Sequence, residues 1–111
     1  MLSVDIIHRD PERLTVAVSG DLDICTADRF ETTLTRLITT HHPRSVELDI
    51  TGVPLIDAAG VSALIRVRNH AHADRGEVRL HNAGALVTRV LDILDLLTVF
   101  HVTSRTPKET P

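Results

Sequence analysis

Asp21, Asp23, Asp49 and Asp57 have the widest chemical reach in this sequence, because four converging carboxylates would hold a hard metal ion or divide general acid and base roles. Their neighbours argue for plainer duties. Asp57 directly precedes a helical apolar pattern, where a carboxylate caps exposed backbone N–H groups, and Asp21 and Asp23 sit in a break of periodicity where short polar side chains form turns. The seven histidines include His41-His42 and His70-Ala71-His72. Helix residues two apart point in different directions, so His70 and His72 do not serve as joint ligands, and neither a metal nor a cofactor is expected. Hydroxyls open to modification stand at Thr26, Thr51 and Ser62. Each has a structural use: Thr26 as a helix cap, Thr51 as a partner for loop backbone, Ser62 as a small helix-surface residue. No Gly-x-x-x-x-Gly-Lys phosphate loop, Gly-x-Ser-x-Gly elbow or Gly-x-Gly-x-x-Gly turn occurs, and no enzymatic activity is expected.

The background in which these residues lie excludes further classes. A chain of 111 residues, 42% hydrophobic and 24% charged, has the size and composition of one globular domain. No apolar run approaches the roughly 20 residues that span a bilayer, and the first residues lack the basic, apolar, small-residue order of a secretory signal. A single cysteine, Cys25, forms no internal disulfide and fits a reducing, cytoplasmic setting as a small hydrophobe. The net charge is −3, the basic residues are scattered, and Phe30 and Phe100 are the only aromatics. Nucleic acid therefore finds neither a basic stripe nor a stacking platform.

The elements that must position the candidate residues follow from hydrophobic period. Val4, Ile6 and His8 alternate with Ser3, Asp5 and Ile7, a turn follows at Asp10-Pro11-Glu12, and Leu14, Val16 and Val18 alternate again, which predicts an antiparallel hairpin. Ala27, Phe30, Leu34, Leu37 and Ile38 recur at helical spacing, capped by Cys25 or Thr26 and ending near His41-His42-Pro43. A third strand places Val46, Leu48 and Ile50 on one side and Glu47 and Asp49 on the other. A loop from Thr51 then reaches Asp57, the cap of a helix in which Val61, Leu64, Ile65 and Arg68 share a face as far as Asp74. Gly76 is a stop signal, Val78 and Leu80 open a fourth strand, and Val87, Val90, Leu91 and Leu94 describe a third helix. Val99 to Val102 suggests a last short strand. The order β-β-α-β-α-β-α-β implies an α/β fold with a mixed central sheet of four to five strands and helices mainly on one face. The domain is expected to span 1–102, with a flexible tail over 103–111.

The stretch Val46-Glu47-Leu48-Asp49-Ile50-Thr51-Gly52-Val53-Pro54-Leu55-Ile56-Asp57-Ala58-Ala59-Gly60-Val61 resembles the STAS domain of bacterial anti-sigma factor antagonists. In that family a strand ending Leu-Asp-Leu-Ser/Thr-Gly-Val leads through a short loop to Asp-Ser-Ser-Gly at a helix start. Val18-Ser19-Gly20-Asp21-Leu22-Asp23 matches the family's turn before the first helix, and Val87 to Leu97 with Phe100 is similar to its closing segment. The resemblance implies a cytoplasmic, non-enzymatic regulator of transcription that binds a serine kinase acting as an anti-sigma factor, so that the sigma factor is released. It also implies a contact surface of Asp21, Asp23, Thr51, Asp57, Ala58, Ala59, Gly60 and Ser62. In the family, phosphorylation of the serine after the loop aspartate ends binding, since a phosphoryl group adds roughly −1.5 to −2 charge to a surface fitted to a hydroxyl.

This sequence departs from the family pattern where the switch would operate: both serine positions are alanine, Ala58 and Ala59. Neither accepts a phosphoryl group, while alanine suits a first helical turn. Ser62, Thr51 and Thr26 are the remaining candidates for substitute phosphorylation. The two alanines also admit a STAS subunit that braces a lipid-transport complex without a phosphorylation cycle. A third alternative is a sensor holding a nucleotide or lipid at the same helix N-terminus, weakened by the lack of basic and aromatic residues nearby.

Overall fold

A computed structural model describes residues 1–104, and the expected tail beyond them lies outside the described residues. The first two residues of the segment read as tail, Thr103 and Ser104, are tied to the sheet. The Thr103 N–H donates to Leu80 O at 2.9 Å, and Ser104 bridges Ala83.

Strands β1 (Ser3–Arg9) and β2 (Arg13–Ser19) form the antiparallel hairpin the alternation predicts. Asp10 closes it, its Oδ1 accepting the N–H groups of Glu12 and Arg13, both at 2.8 Å. Helix α1 (Ala27–His41), strand β3 (Ser45–Gly52), helix α2 (Ala58–Ala73), strand β4 (Glu77–His81) and helix α3 (Ala85–Ile93) follow. The sheet order is β1-β2-β3-β4, with β2, β3 and β4 mutually parallel. This is the mixed α/β architecture expected, with four strands.

Leu14, Val16 and Val18 of β2, Val46, Leu48 and Ile50 of β3, and Val78 and Leu80 of β4 are buried beneath the helices. Phe30, Leu34 and Ile38 of α1 and Val61, Leu64 and Val67 of α2 complete the core. Both aromatics lie inside it, and truncating either to alanine would cost about 3–5 kcal/mol. The opposite sheet face carries the alternating partners Thr15, Ala17, Glu47, Asp49, Arg79 and His81, all half-buried. Such a face needs no helix, because its side chains bond one another and water.

Three local expectations are corrected. Val99 to Val102 forms no strand: Phe100 N–H turns back to Leu96 O at 3.1 Å and Val102 N–H to Leu97 O at 2.9 Å, with Phe100 as the buried anchor. In α2, Ala63 and Val67 rather than Ile65 and Arg68 join Val61 and Leu64 on the inner face, because the buried stripe follows the helical period through Gly60, Ala63, Leu64, Val67 and Ala71. Leu94 is the exposed cap residue of α3 rather than part of its buried face. The helix does stop just before Gly76, with Arg75 as the left-handed residue, φ 66°. Gly76 matters for space, since a Cβ there would sit 2.7 Å from Pro43 O. Its N–H bonds Ala71 O at 2.8 Å and closes the helix end.

Candidate functional site

Because β2, β3 and β4 are parallel, the loops that leave their C-terminal ends gather along one edge of the sheet. Two of them are stitched together by backbone. Gly20 N–H donates to Gly52 O at 2.9 Å, Leu22 N–H to Leu55 O at 3.0 Å and Asp57 N–H to Leu22 O at 3.2 Å. Gly20 adopts φ 108°, a region that side chains disfavour, and a Cβ on it would lie 2.0 Å from Met1 O.

Asp57 is the N-cap of α2, as its position before the apolar pattern predicts, and Oδ1 accepts Gly60 N–H at 2.9 Å. Its second oxygen does something the local sequence does not announce. Oδ2 accepts Ile24 N–H at 3.1 Å, so one carboxylate fastens both the helix start and the loop before α1. Gly60 makes the close approach possible, because a Cβ there would meet Leu22 O at 2.1 Å.

Asp21 and Asp23 serve the turn. The Thr26 hydroxyl donates to Asp21 O at 2.8 Å and accepts Asp23 N–H at 3.0 Å, while Asp23 Oδ1 accepts Cys25 N–H at 2.9 Å. Thr26 is thus the residue before α1, but its hydroxyl braces the turn instead of capping the helix, which corrects the expected role. Cys25, expected as a buried hydrophobe, is exposed.

Ala58 is exposed on the first turn of α2, and Ser62, one turn on and also exposed, shares its side of the helix. Ala59 is half-buried against the core and Gly60 is buried. Thr51 lies apart from this group. It extends the Glu47 and Asp49 alternation on the open face of the sheet, where its hydroxyl donates to Asp49 Oδ1 at 2.5 Å and its N–H at 3.0 Å. Burial pushes the Asp49 carboxyl up, but the Thr51 hydroxyl and amide and the Asn82 amide outweigh it and leave the group below its ordinary value.

The four aspartates therefore do not converge, and among the described residues no group of three or more His, Cys, Asp or Glu side chains is placed to hold a metal. His70 Nε2 meets the Thr39 hydroxyl at 3.2 Å, and His42 Nδ1 meets Asp74 Oδ2 at 2.8 Å. The two loops that meet at Asp57 carry two exposed aliphatic side chains: Ile24 is 77% exposed and Leu55 41% exposed. The sequence reading missed both. Ile24 falls in a segment with no period, and Leu55 reads as ordinary loop; the only signal was a large apolar residue where a turn needs none. An exposed alanine at a helix start that one carboxylate ties to a loop carrying an exposed isoleucine is suited to contact a protein surface.

The sequence relative STAS-domain containing protein PA14_20770 of Pseudomonas aeruginosa is 24% identical over 93 residues, covering 84% of this chain and 90% of that protein. An anti-sigma factor antagonist from Mycobacterium paratuberculosis superposes with a TM-score of 0.80 at 19% identity, over 96% of this chain and 87% of that one. The antagonist SpoIIAA in its unphosphorylated form gives 0.77 at 16% identity, over 96% and 89%. The same fold recurs within a larger protein, the murine anion transporter Slc26a9, with a TM-score of 0.72 and 17% identity over 87% of this chain and 17% of the transporter. These likenesses establish the fold, and among the described residues no helix is long and apolar enough to cross a membrane. A family model for the STAS domain matches residues 3–109, and the chain belongs to that family.

Proposed function

We propose that this STAS domain is a cytoplasmic protein-binding regulator of the anti-sigma factor antagonist type, which docks a kinase-type anti-sigma factor through the Asp57 loop and the start of α2 and performs no catalysis. The observation that carries the reading is Ala58. It occupies the exposed first turn of α2 on an intact frame of Asp57, Gly60 and Leu22, in a surface with no hydroxyl at the position where the resembling family carries its phosphoacceptor. A surface so built stays permanently in the form that binds, and the partner's kinase activity does not end the contact.

Affinity capture from the native cell extract, followed by incubation with ATP, tests this. The reading requires recovery of a kinase-type ATPase and no phosphate on the captured domain. Recovery of a transporter ATPase or permease would instead favour a bracing subunit of a lipid-transport complex, the second reading that Ala58 and Ala59 admit. Phosphate mapped to Ser62, Thr51 or Thr26 would show that control has moved to another hydroxyl.

A further inference from the structure

The two edges of the sheet are treated differently. Along β4 the chain returns: Leu80 N–H donates to Phe100 O at 3.1 Å, Thr103 N–H to Leu80 O at 2.9 Å and Ala83 N–H to Thr103 O at 3.0 Å. No described element covers the outer side of β1. That strand is also apolar where water meets it, with Ile6 42% and Ile7 57% exposed. A free edge of this kind invites another strand.

The bulge at Ile7 decides which strand fits. Val4 and Ile6 stand opposite Val18 and Val16, on the helix-covered face, and Asp5 stands opposite Ala17, on the open face. The register then slips at Ile7, so that His8 opposes Thr15 on the open face and Arg9 opposes Leu14 on the covered one. In an unbroken strand Asp5 and His8 would point to opposite faces; the bulge places them on the same one. The first half of β1 is therefore acidic and the second half basic, and neither Asp5 nor Arg9 forms an ion pair with another described residue.

We infer that β1 pairs with β1 of a second copy of this chain, antiparallel, about a two-fold axis between Ile6 and Ile7. Asp5 of each copy then faces His8 of the partner subunit on the open face, and Val4 faces Arg9 of the partner subunit on the covered face. Ile6 meets Ile7 of the partner subunit at the centre. Only a strand with this slip satisfies both faces, because a two-fold between neighbouring residues of an unbroken strand would set side chains from opposite faces against each other. The four strands of each copy become one continuous sheet. His8 keeps its contact with Asp10 at 2.8 Å through Nε2, leaving Nδ1 to reach Asp5 of the partner subunit. The area is small for a dimer, so the association depends on concentration.

Sedimentation equilibrium across micromolar to millimolar protein is the first test, with a monomer–dimer equilibrium expected. Asp5→Lys replaces the carboxylate that faces His8 of the partner subunit with an ammonium group next to Arg9 of the partner subunit and should abolish the dimer, and adding His8→Asp and Arg9→Asp should restore it, with thermal melts confirming folding. Register is tested by oxidative crosslinking in a Cys25→Ala background. Asp5→Cys mixed with His8→Cys brings two thiols directly opposite at roughly 4.5–5.5 Å between Cα atoms, while the second pair keeps its native Asp and His. The mixture should crosslink at least about tenfold faster than either variant alone. A chain that stays monomeric, a dimer that survives Asp5→Lys, or crosslinking no faster in the mixture would each overturn the inference.

Discussion

The side chain of Asp57 accepts the backbone N–H of Ile24 at 3.1 Å across 33 residues of sequence, while its other oxygen caps α2. One carboxylate thus fastens both the loop that carries the exposed Ile24 and the helix start that carries the exposed Ala58. Replacing Asp57 with alanine removes both bonds, and a cost of about 1–2 kcal/mol is expected by denaturant unfolding. Partner affinity should fall by more than that loss of stability explains. Thr40→Ala, at an exposed site on α1, is the control and should leave both unchanged.

Gly60 is the tightest point of the frame. Gly60→Ala drives a Cβ to 2.1 Å from Leu22 O, a backbone atom with little freedom to withdraw. A loss of about 2 kcal/mol or more is expected in thermal or chemical unfolding, although alanine is the better helix former by roughly 1 kcal/mol. A neutral or stabilising result would mean that the loop carrying Leu22 is not held against α2.

Ile24 should behave in the opposite way. At 77% exposure its truncation leaves the fold within about 0.5 kcal/mol of wild type, yet Ile24→Ala should weaken partner binding about tenfold or more if this side chain anchors the contact. Calorimetric titration beside a thermal melt separates the two effects.

These contrasts mark what was legible in sequence. The buried alternation of Val46, Leu48 and Ile50 and the cap at Asp57 are local patterns, and the structure reproduces them. The bond from Asp57 to Ile24 is invisible because it joins segments that only the parallel pairing of β2 and β3 brings together. The bulge at Ile7 is hidden because a period of two carries no sign of where a strand slips. Val99 to Val102 misleads for a related reason. Alternating apolar residues suit a strand, but Leu96 and Leu97 offer their carbonyls within one turn, and Phe100 reaches the core from there.

The open face supplies a pH test. Burial raises the Glu47 carboxyl, but hydrogen bonds from the Ser45 hydroxyl and His81, with the charges of His81 and Arg79, lower it more, leaving it below its ordinary 4.5. A depressed carboxyl contributes stability that is complete above its unfolded value and is lost as pH falls through its folded value. Unfolding curves should therefore show stability falling below about pH 4.5. Glu47→Gln should be less stable than wild type at neutral pH, with the gap closing in acid. A gap that stays constant from pH 7 to pH 3 would contradict the assignment to Glu47.

If Ala58 fixes the exposed start of α2 as a docking surface in its unmodified form, calorimetric titration of three proteins against the captured kinase-type partner will show it. Ala58→Ser should bind as the wild type does. Ala58→Glu should bind at least about tenfold more weakly while remaining folded, since an acidic side chain in a first helical turn is favoured by roughly 0.3–1 kcal/mol and any loss then belongs to the interface. A well-folded Ala58→Glu protein with unchanged affinity would place the interface elsewhere and rule out docking at the start of α2.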